Sequence, residues 1–435
     1  MRRAGPGSRA TTKNTMKTKL FFATIAVLTA LVWRAEAQTY DTNNDFVETL
    51  AGYGIPGYVD GQGLLTAFSS PSQIVADTSG NLYVWDSGNN RIRKVTANGT
   101  VSTLAGGGSY LEGYGTNVSL AWATGGNLAI DHANALWLVL ASEYGNPYLI
   151  TISTNGFVSI ANGGVTNLTA TSGLCFDSAN NLYYSGGNRI YRYSPATGAS
   201  QAFAGSGVAG NFDGQGVLFS AFNNPGALAC DQADNIYVFD AGNGTIRRID
   251  QNQNVSTVAG NSAFSYQSSD GVGTNATFTG VESMFADNQG NIYFVCGSCV
   301  RKMDAQTNVV TLAGVFFLYG GAFANGPGAQ ARFSSAAGGC LSQGTIFVAD
   351  TGNNRIRSLT FNPASQIVAP ANLQLNTYPG LQITGTIGRS YQIQSSPNLN
   401  AWTPVTTVLL NSSPYLWIDQ DPVAGNKFYR AVLLP

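Results

Sequence analysis

An aromatic residue recurs six times in this chain inside one short apolar phrase, and this repetition constrains the fold more than any other feature. The six residues are Tyr83, Trp137, Tyr183, Tyr237, Tyr293 and Phe347. Successive members are separated by 54, 46, 54, 56 and 54 residues. Self-similarity at a nearly fixed period predicts an array of one supersecondary unit.

The first repeat indicates what that unit is. Short apolar and β-branched runs at 73–77, 81–85, 91–95 and 101–105 alternate with turn-forming residues. Such runs are typical of a four-stranded antiparallel meander. One such sheet cannot cover its own apolar faces, whereas six sheets arranged radially can do so. The sequence therefore predicts an all-β protein built as a six-bladed β-propeller.

Two further phrases recur with the aromatic one. The first phrase is TLAG at 49–52, 103–106 and 311–314, with TVAG at 257–260 and FAG at 203–205. The second is DSGNNRIRK at 86–94, DAGNGTIRR at 240–248 and DTGNNRIRS at 350–358. At these phrases the chain resembles the NHL repeat family of β-propellers, over residues 45–362. The resemblance implies the six-bladed architecture and a role in binding.

The two ends of the repeat region complement each other. The sixth repeat ends with its third strand, near 355–360, while the TLAG phrase at 49–52 precedes the first strand of the first repeat. We expect Val47 to Gly52 to supply the missing outer strand of the sixth blade. This pairing would close the ring and leave no open sheet edge.

Residues 1–37 are typical of a secretory signal peptide. Lys17 and Lys19 precede an apolar run at 20–33, and small residues at 35 and 37 precede a cleavage point before Gln38. Met16 is a possible true start. An uncleaved anchor is the alternative, although the run is short for a membrane span. The protein is expected to be secreted or extracytoplasmic, in the periplasm, at the cell surface or outside the cell.

Charge excludes two classes of partner. Without residues 1–37 the chain carries 15 Lys/Arg and 22 Asp/Glu, a net charge of −7. Nucleic acids and anionic membrane surfaces both require clustered basic residues. We therefore expect a protein, peptide or glycan partner, no nucleic acid, no membrane span after cleavage, and a monomer.

The C-terminal region differs from the repeats. After a linker at 363–372, residues 373–435 carry a Y-x-I-x-x-S-x-N-L-x-x-W phrase that begins at Tyr391 and an F-Y-R phrase at 428–430. These phrases resemble a small β-sandwich module found at the C-termini of secreted bacterial proteins. The resemblance implies a separate small β domain and a bacterial source.

Glycine-rich phrases mark the links between blades. They are DGQG (60–63), EGYG (112–115), DGQG (213–216), DGVG (270–273) and NGPG (325–328). In an up-and-down sheet these links share one face, and binding residues concentrate on loops held by a rigid scaffold. The candidate ligand-binding residues on this long-loop face are Tyr58, Asp60, Tyr114, Asp213, Asp270 and Tyr319. The alternative is that the aromatics plug their own sheets and the acids cap turns.

The recurrent acids raise the question of calcium. Asp60, Asp213 and Asp270 belong to different blades, so they are not expected to meet on one ion. No cofactor or metal is predicted, with calcium as the alternative. A second set of acids precedes an arginine by seven residues in three repeats, and we expect structural pairs within each blade. These pairs are Asp86–Arg93, Asp240–Arg247 and Asp350–Arg357.

Five cysteines are present. Cys296 and Cys299 form a CxxC motif, and a local disulfide is the prediction for an extracytoplasmic protein. A redox pair or a zinc site is the alternative. Cys175, Cys230 and Cys340 lie in apolar runs and are expected to act as small buried residues.

Catalytic signals are sparse. His132 is the single histidine and lies in a predicted turn, and neither a G-x-S-x-G elbow nor a Cys–His pair is apparent. Streptogramin lyases and peptide-amidating lyases have this architecture, but their histidine constellations have no counterpart here. We predict a non-catalytic scaffold that binds its ligand through the long-loop face. One alternative is a calcium- or carboxylate-dependent hydrolase or lyase at the central channel, with Glu282 as its acid. The other is a structural component of an extracellular assembly.

Overall fold

The computed structural model describes residues 45–121, 127–140, 147–161, 165, 167–169, 173–262, 268–316, 322–361, 372–375, 380–411, 415–418 and 428–434. Over these ranges the chain is all-β and forms antiparallel sheets, as predicted. The expected signal peptide and most of the expected linker at 363–372 lie outside the described residues.

Strand β1 (Phe46–Ala51) comes first in the described chain and joins the sixth sheet. Sheet 1 contains β2 (Gly61–Gln62), β3 (Pro71–Ala76), β4 (Leu82–Asp86), β5 (Arg91–Val95) and β6 (Thr100–Gly106). Sheet 2 contains β7 (Gly113–Tyr114), β8 (Leu128–Ile130), β9 (Leu136–Leu140), β10 (Tyr148–Ile152) and β11 (Phe157–Ile160). Sheet 3 contains β12 (Leu174–Phe176), β13 (Leu182–Gly186), β14 (Arg189–Ser194) and β15 (Ala199–Ala204).

The next three sheets repeat this pattern. Sheet 4 contains β16 (Gly214–Gln215), β17 (Pro225–Cys230), β18 (Ile236–Asp240), β19 (Thr245–Ile249) and β20 (Asn254–Gly260). Sheet 5 contains β21 (Gly271–Val272), β22 (Ser283–Ala286), β23 (Ile292–Val295), β24 (Cys299–Met303) and β25 (Asn308–Gly314). Sheet 6 contains β26 (Gly326–Pro327), β27 (Gly338–Ser342), β28 (Thr345–Asp350), β29 (Arg355–Thr360) and β1.

Helical structure is minor. The described helices are α1 (Gly216–Phe219) and single 3₁₀ turns at Gly63–Leu65, Ser87–Asn89, Gly115–Asn117, Gly273–Asn275 and Thr351–Asn353. In the part of the chain that the structure describes, no helix approaches the length and apolar character that a bilayer crossing requires.

The first full-length strands of the six sheets contact one another in order. Strands β3, β8, β12, β17, β22 and β27 each contact the next, and β27 contacts β3. The apolar core fills the spaces between neighbouring sheets, with clusters that combine side chains of sheets 1 and 2, 2 and 3, and onward to 6 and 1. This arrangement is consistent with a propeller.

The N-terminal strand completes sheet 6, as expected from the position of the first TLAG phrase. Strand β1 pairs antiparallel with β29, with Phe46 opposite Thr360 and Val47 opposite Leu359. Val47 is fully buried in the cluster between sheets 5 and 6. The last sheet therefore combines residues from both ends of the repeat region.

The glycine-rich links form a fifth strand that the sequence did not predict. Two residues of each phrase pair with the outer strand of the sheet that follows, as Gly61 and Gln62 do with Val101 and Thr100. Gly61 has φ of 149° and Gly63 has φ of 52°, backbone conformations that favour glycine. The links are therefore part of the sheets.

The recurring aromatic has a structural role. The Tyr83 hydroxyl donates a hydrogen bond to Asp77 (3.2 Å), and the indole N–H of Trp137 donates to Asp131 (2.9 Å). The same Asp77 carboxylate accepts hydrogen bonds from the backbone and side-chain amides of Asn81. The Tyr293 hydroxyl donates to Asp287 in the same way (3.0 Å), whereas Phe347 of sheet 6 has no donor. In the sheets with a donor, the aromatic thus fastens the turn between the first two full-length strands.

Two small sheets occupy the C-terminal region. Sheet 7 contains β30 (Asn372–Leu375), β31 (Gly380–Thr384) and β34 (Tyr415–Ile418). Sheet 8 contains β32 (Ser390–Ser396), β33 (Thr403–Leu409) and β35 (Phe428–Leu433). Leu381, Ile383, Tyr391 and Ile393 are buried together in one apolar cluster that draws on both sheets.

Candidate functional site

A fully buried arginine lies at the same position of four sheets, each on the strand before the outer one. These residues are Arg93, Arg247, Arg301 and Arg357. Three of them form the predicted pairs with the aspartate seven residues earlier. The N–O distances are 2.8 Å for Arg93–Asp86, 2.9 Å for Arg247–Asp240 and 2.7 Å for Arg357–Asp350. The expectation of a structural pair within each of these sheets is confirmed.

The acids of the glycine-rich phrases contact the same arginines. The N–O distances are 2.6 Å for Asp60–Arg93, 2.7 Å for Asp213–Arg247 and 3.0 Å for Asp270–Arg301. Each carboxylate also accepts hydrogen bonds from the backbone N–H and hydroxyl of a threonine on the outer strand. These threonines are Thr103, Thr257 and Thr311. The three acids lie in sheets 1, 4 and 5 and fasten each link to its own sheet. A direct ligand contact by any of them stays a prediction.

The candidate tyrosines lie on the periphery of two sheets. Tyr58 is exposed, stacks on the Arg91 guanidinium at 4.1 Å, and places its hydroxyl 3.0 Å from the hydroxyl of Thr103. Tyr114 is exposed and packs against Phe157, with ring centroids 4.8 Å apart. These residues belong to sheets 1 and 2. Tyr319 lies outside the described residues.

A narrow cavity runs between the first full-length strands of all six sheets. It has a volume of about 280 Å³, and its wall is mostly apolar or small, as expected for these strands. Val75, Ala129, Leu174, Ala229 and Met284 are among the lining residues. The side chains of this wall provide few hydrogen-bonding groups for a polar ligand.

A second cavity opens where this channel meets the long-loop face. Its volume is about 390 Å³, and it is lined by the start of β17, the end of β18 and residues 278–282. Gln73, Asn224, Thr279 and Glu282 provide polar groups, while Phe239 and Phe278 provide apolar wall. We call this cavity the channel mouth. It combines apolar wall with a few convergent polar groups, as ligand sites do.

Glu282 is the one charged residue among the described residues of the channel mouth. Its side chain is exposed to the cavity, yet the surrounding protein raises the pKa of the carboxyl by desolvation. A carboxyl in such a place can accept hydrogen bonds, attract a cation or exchange a proton with a ligand. The sequence identified Glu282 but missed Gln73, Asn224 and Thr279, because they lie in no repeated phrase.

The CxxC cysteines face each other at the end of a hairpin in sheet 5. Both are free thiols in the structure, and the backbone N–H of Cys296 donates to the carbonyl of Cys299 at 2.9 Å. The predicted disulfide stays a prediction. Cys175 and Cys230 are half-buried in the channel wall and Cys340 is buried. Burial raises the pKa of these three thiols.

The possible metal ligands and the single histidine remain to be placed. No group of three or more His, Cys, Asp or Glu residues within them could hold a metal ion. His132 is exposed in the turn between β8 and β9, at the end of its sheet away from the channel mouth. The side chain is therefore not placed to act on a ligand in the mouth.

Sequence comparisons give a partial match. No protein-family model matches the chain. A curated relative, Protein SUPPRESSOR OF QUENCHING 1, chloroplastic, from Arabidopsis thaliana, is 26% identical over 328 residues, which are 71% of this chain. The match spans only 26% of the length of that relative. The activity of that relative therefore cannot be assigned to this chain.

Solved structures give a broader match. A protein of unknown function from Bacteroides thetaiotaomicron superposes with a TM-score of 0.57 at 18% identity, covering 73% of this chain and 76% of that one. Auxiliary nutrient binding proteins from Bacteroides thetaiotaomicron and Bacteroides ovatus both give 0.55, at 16% and 17% identity. They cover 73% of this chain and 76% and 77% of their own. The chain has a β-propeller-like fold. Identities this low show the fold alone.

Proposed function

We propose that this chain is a secreted, six-bladed propeller of the NHL type that binds a protein, peptide or glycan ligand without catalysis, through its long-loop face. The channel mouth is the observation that carries this assignment. It is open on that face, its volume of about 390 Å³ could hold a side chain or a sugar ring, and its lining combines polar groups with the apolar rings of Phe239 and Phe278.

The polar groups of the mouth suit a hydroxylated or cationic group. Glu282 can only accept hydrogen bonds when it is ionised, while Gln73 and Asn224 can both donate and accept. The described lining contains no basic residue to attract an anion. A sugar hydroxyl or an amino group of a peptide therefore fits better than a phosphate or carboxylate.

The candidate residues at the edge of the face would extend this contact. Exposed Tyr58 and Tyr114 offer rings for stacking. In the sequence, Tyr319 belongs to the link between β25 and β26. Asp60, Asp213 and Asp270 support the face by holding the links to their sheets. Two of the similar structures are described as auxiliary nutrient binding proteins, and the role proposed here is also binding.

The domain plan follows the same proposal. Residues 45–362 form the propeller, and residues 373–435 form a small β-sandwich-like domain, supported by sheets 7 and 8. Residues 1–37 are proposed to direct export and to be removed before Gln38, which places the protein outside the cytoplasm. N-terminal sequencing of the secreted protein tests this point. A secreted chain that retains residues 20–33 would contradict it.

Binding is tested by screening the full purified chain on glycan and peptide arrays, followed by calorimetry with the strongest ligand. Glu282→Gln combined with Asn224→Ala should weaken binding about tenfold or more, since a hydrogen bond to a charged group contributes about 1.5–3 kcal/mol. His132→Ala, at the opposite end of its sheet, is the matched control. Equal affinities for all three proteins would exclude the channel mouth. Substituting Tyr58, Tyr114 and Tyr319 together tests the edge of the face in the same way.

One observation favours an enzyme as the second candidate. The raised pKa of Glu282 suits a general acid or base at the channel mouth. In that case Glu282→Gln would abolish turnover of a lactone, glycoside or peptide panel while leaving binding measurable. A calcium-dependent rise in melting temperature that disappears in the same variant would indicate a metal-assisted form of this chemistry. Binding with no turnover by the unmodified protein would support the scaffold.

A further inference from the structure

Cys296 occupies the position that an aspartate occupies in three other sheets. In sheet 1, Val84 pairs with Arg93, and Asp86 follows two residues later. In sheet 5, Phe294 pairs with Arg301, and Cys296 follows two residues later. The thiol therefore replaces the buried carboxylate that pairs with the buried arginine elsewhere.

Sheets 2 and 3 lack the buried arginine, and they also lack an acid or a thiol at the position of Asp86 and Cys296. In sheet 2 the residue paired with Leu138 is Ile150, and Leu140 stands at the aspartate position. In sheet 3 Tyr191 replaces the arginine, and Gly186 stands at that position. Among the described sheets, an acid or a thiol occurs where the arginine is present, and neither occurs where it is absent.

Among the described residues, Arg301 contacts a single carboxylate. Its guanidinium donates to Asp270, which is partly exposed, and to the carbonyls of Thr277 and Ser269. Arg93 and Arg247 each contact a second, fully buried aspartate in addition. Arg357 contacts one carboxylate, the fully buried Asp350, and the side-chain oxygen of Asn325. Arg301 therefore differs from the other three in lacking the buried carboxylate. A buried guanidinium is stabilised when its charge is balanced at close range, and Cys296 lies where the second balancing charge would be.

The geometry of the two cysteines suits exchange. They are opposite residues at the end of the hairpin, joined by a backbone hydrogen bond, and such pairs have Cα atoms roughly 5.5 Å apart. This separation lies within the range for a disulfide. The hydrogen bond from the Cys299 S–H lowers the pKa of Cys296; burial opposes it, Arg301 lowers it further, and Glu282 and Asp270 act to raise it. The pKa of Cys299 is raised.

We propose that Cys296, as a thiolate, is the second counter-charge of Arg301, and that Cys296 and Cys299 form a thiol–disulfide exchange site that reacts with low-molecular-weight or protein disulfides. Both thiols are buried, but Cys296 keeps 9% of its surface accessible and Cys299 keeps none, so we assign Cys296 as the attacking residue. The Cys296 sulfur attacks one sulfur of the donor disulfide and releases one thiolate. Cys299 then loses its proton to that thiolate or to water and attacks the Cys296 sulfur, which releases the second donor sulfur. Two thiols are oxidised by two electrons, and one donor disulfide is reduced to two thiols.

Oxidation would change the surroundings of the channel mouth. The carbonyl of Gly297, inside the CxxC turn, accepts a hydrogen bond from Ala336 of sheet 6 at 2.7 Å, and the backbone of Glu282 donates to Val295 at 2.9 Å. The disulfide removes the thiolate charge and leaves Arg301 with Asp270 alone. The proposed exchange reaction does not require that a ligand binds in the channel mouth.

The test uses the full chain reduced with dithiothreitol and then freed of it. Iodoacetamide should alkylate Cys296 at least about tenfold faster than Cys340, because a lower thiol pKa increases the thiolate fraction at neutral pH. Oxidised glutathione should then remove two hydrogen atoms from the pair, as read by mass spectrometry. The Cys299→Ser variant should instead retain one glutathione on Cys296. Equal alkylation rates, or no capture by Cys299→Ser, would overturn the exchange site.

The counter-charge is tested separately by stability under reducing conditions. Cys296→Asp restores the residue of the other sheets and should melt close to the unmodified protein, whereas neutral Cys296→Ser should melt lower. Cys340→Ser, in an apolar part of sheet 6, is the control for loss of a buried thiol. If Cys296→Ser is as stable as Cys296→Asp, Arg301 does not need a second charge and that part of the proposal fails.

Discussion

Gly338 at the start of β27 packs directly against Gln73 of β3, where sheet 6 meets sheet 1. A Cβ added at Gly338 would lie 2.6 Å from the Cα of Gln73 and 2.7 Å from the carbonyl oxygen of Ser72. Backbone atoms cannot move aside as a flexible side chain can. The close approach of the last and first sheets therefore depends on the absence of a side chain at this position.

This contact predicts a position-specific cost. Gly338→Ala should destabilise the protein by about 1–3 kcal/mol, because overpacking forces the two sheets apart. Gly226 stands near the start of β17, and a Cβ there would meet only the carbonyl of Phe239, at 4.0 Å. Gly226→Ala is therefore the matched control and should change stability little. Urea unfolding of the two variants decides the point, and equal losses would contradict the tight junction.

Removing a buried arginine should cost more than any surface change. Arg247→Met leaves the buried Asp240 without its charged partner, and breaking such a pair costs about 3–5 kcal/mol. Arg248 points to the opposite face of the same strand and is only half-buried, so Arg248→Met is the control. Denaturant unfolding should show a large loss for the first variant and a small one for the second. A loss of less than about 1 kcal/mol for Arg247→Met would mean that the pair has little structural weight.

Lys302 predicts a pH dependence in the alkaline range. Burial lowers the pKa of its amine to about 8, although Asp287, Asp304 and Asp45 act in the opposite direction. The unfolded chain, with an ordinary lysine pKa near 10.5, binds more protons than the folded chain between these values. Stability from this group therefore rises as pH increases from about 8 towards 10.5.

Lys302→Met should remove this rise. Lys94 pairs with Tyr83 as Lys302 pairs with Tyr293, so Lys94→Met is a control at the equivalent position of sheet 1. Unfolding free energies at pH 8 and pH 10, measured with reductant, give the difference for each protein. Between pH 8 and pH 10, the unfolding free energy of Lys302→Met should increase less than that of the unmodified protein or of Lys94→Met. The same gain in all three would show that the amine titrates normally.

Loss of the N-terminal strand should prevent folding of the sixth sheet. Deleting residues 46–51 removes the partner of β29 and exposes an unpaired edge, which favours aggregation. Glu48 is exposed in the same strand, and Glu48→Ala should melt as the unmodified protein does. Thermal melting and light scattering distinguish the two proteins. A deletion variant that melts cooperatively at the original temperature would refute the role of β1.

The repeats made most of the fold predictable. In sheet 1 the expected strands at 73–77, 81–85, 91–95 and 101–105 match β3 to β6 to within two residues. The period also located β1 and the aspartate–arginine pairs, because equivalent residues in repeated units have equivalent neighbours. The two-residue strands were missed because their phrases are rich in glycine and polar residues, which usually indicate loops.

The candidate site was less predictable for a physical reason. Asp60, Asp213 and Asp270 recur because each sheet needs an acid to hold its link, so repetition indicated structure and not binding. The polar residues of the channel mouth come from the starts of different first strands and share no phrase. Only the ring brings Gln73 of sheet 1 close to Asn224 and Glu282. A local sequence pattern cannot indicate that residues so far apart in the chain lie close together in the fold.

The pairing of β1 with β29 has a consequence for synthesis. Phe46 meets Thr360, a residue made 314 positions later. At about 5–20 residues per second, roughly fifteen seconds to a minute of translation separate the two halves of this ladder. During that interval β1 has no β29 to pair with, and its backbone N–H and C=O groups on that side are free to pair with another strand edge. Although β1 is made before the other strands of the six sheets, it can pair with β29 only after residues 355–360 have been made.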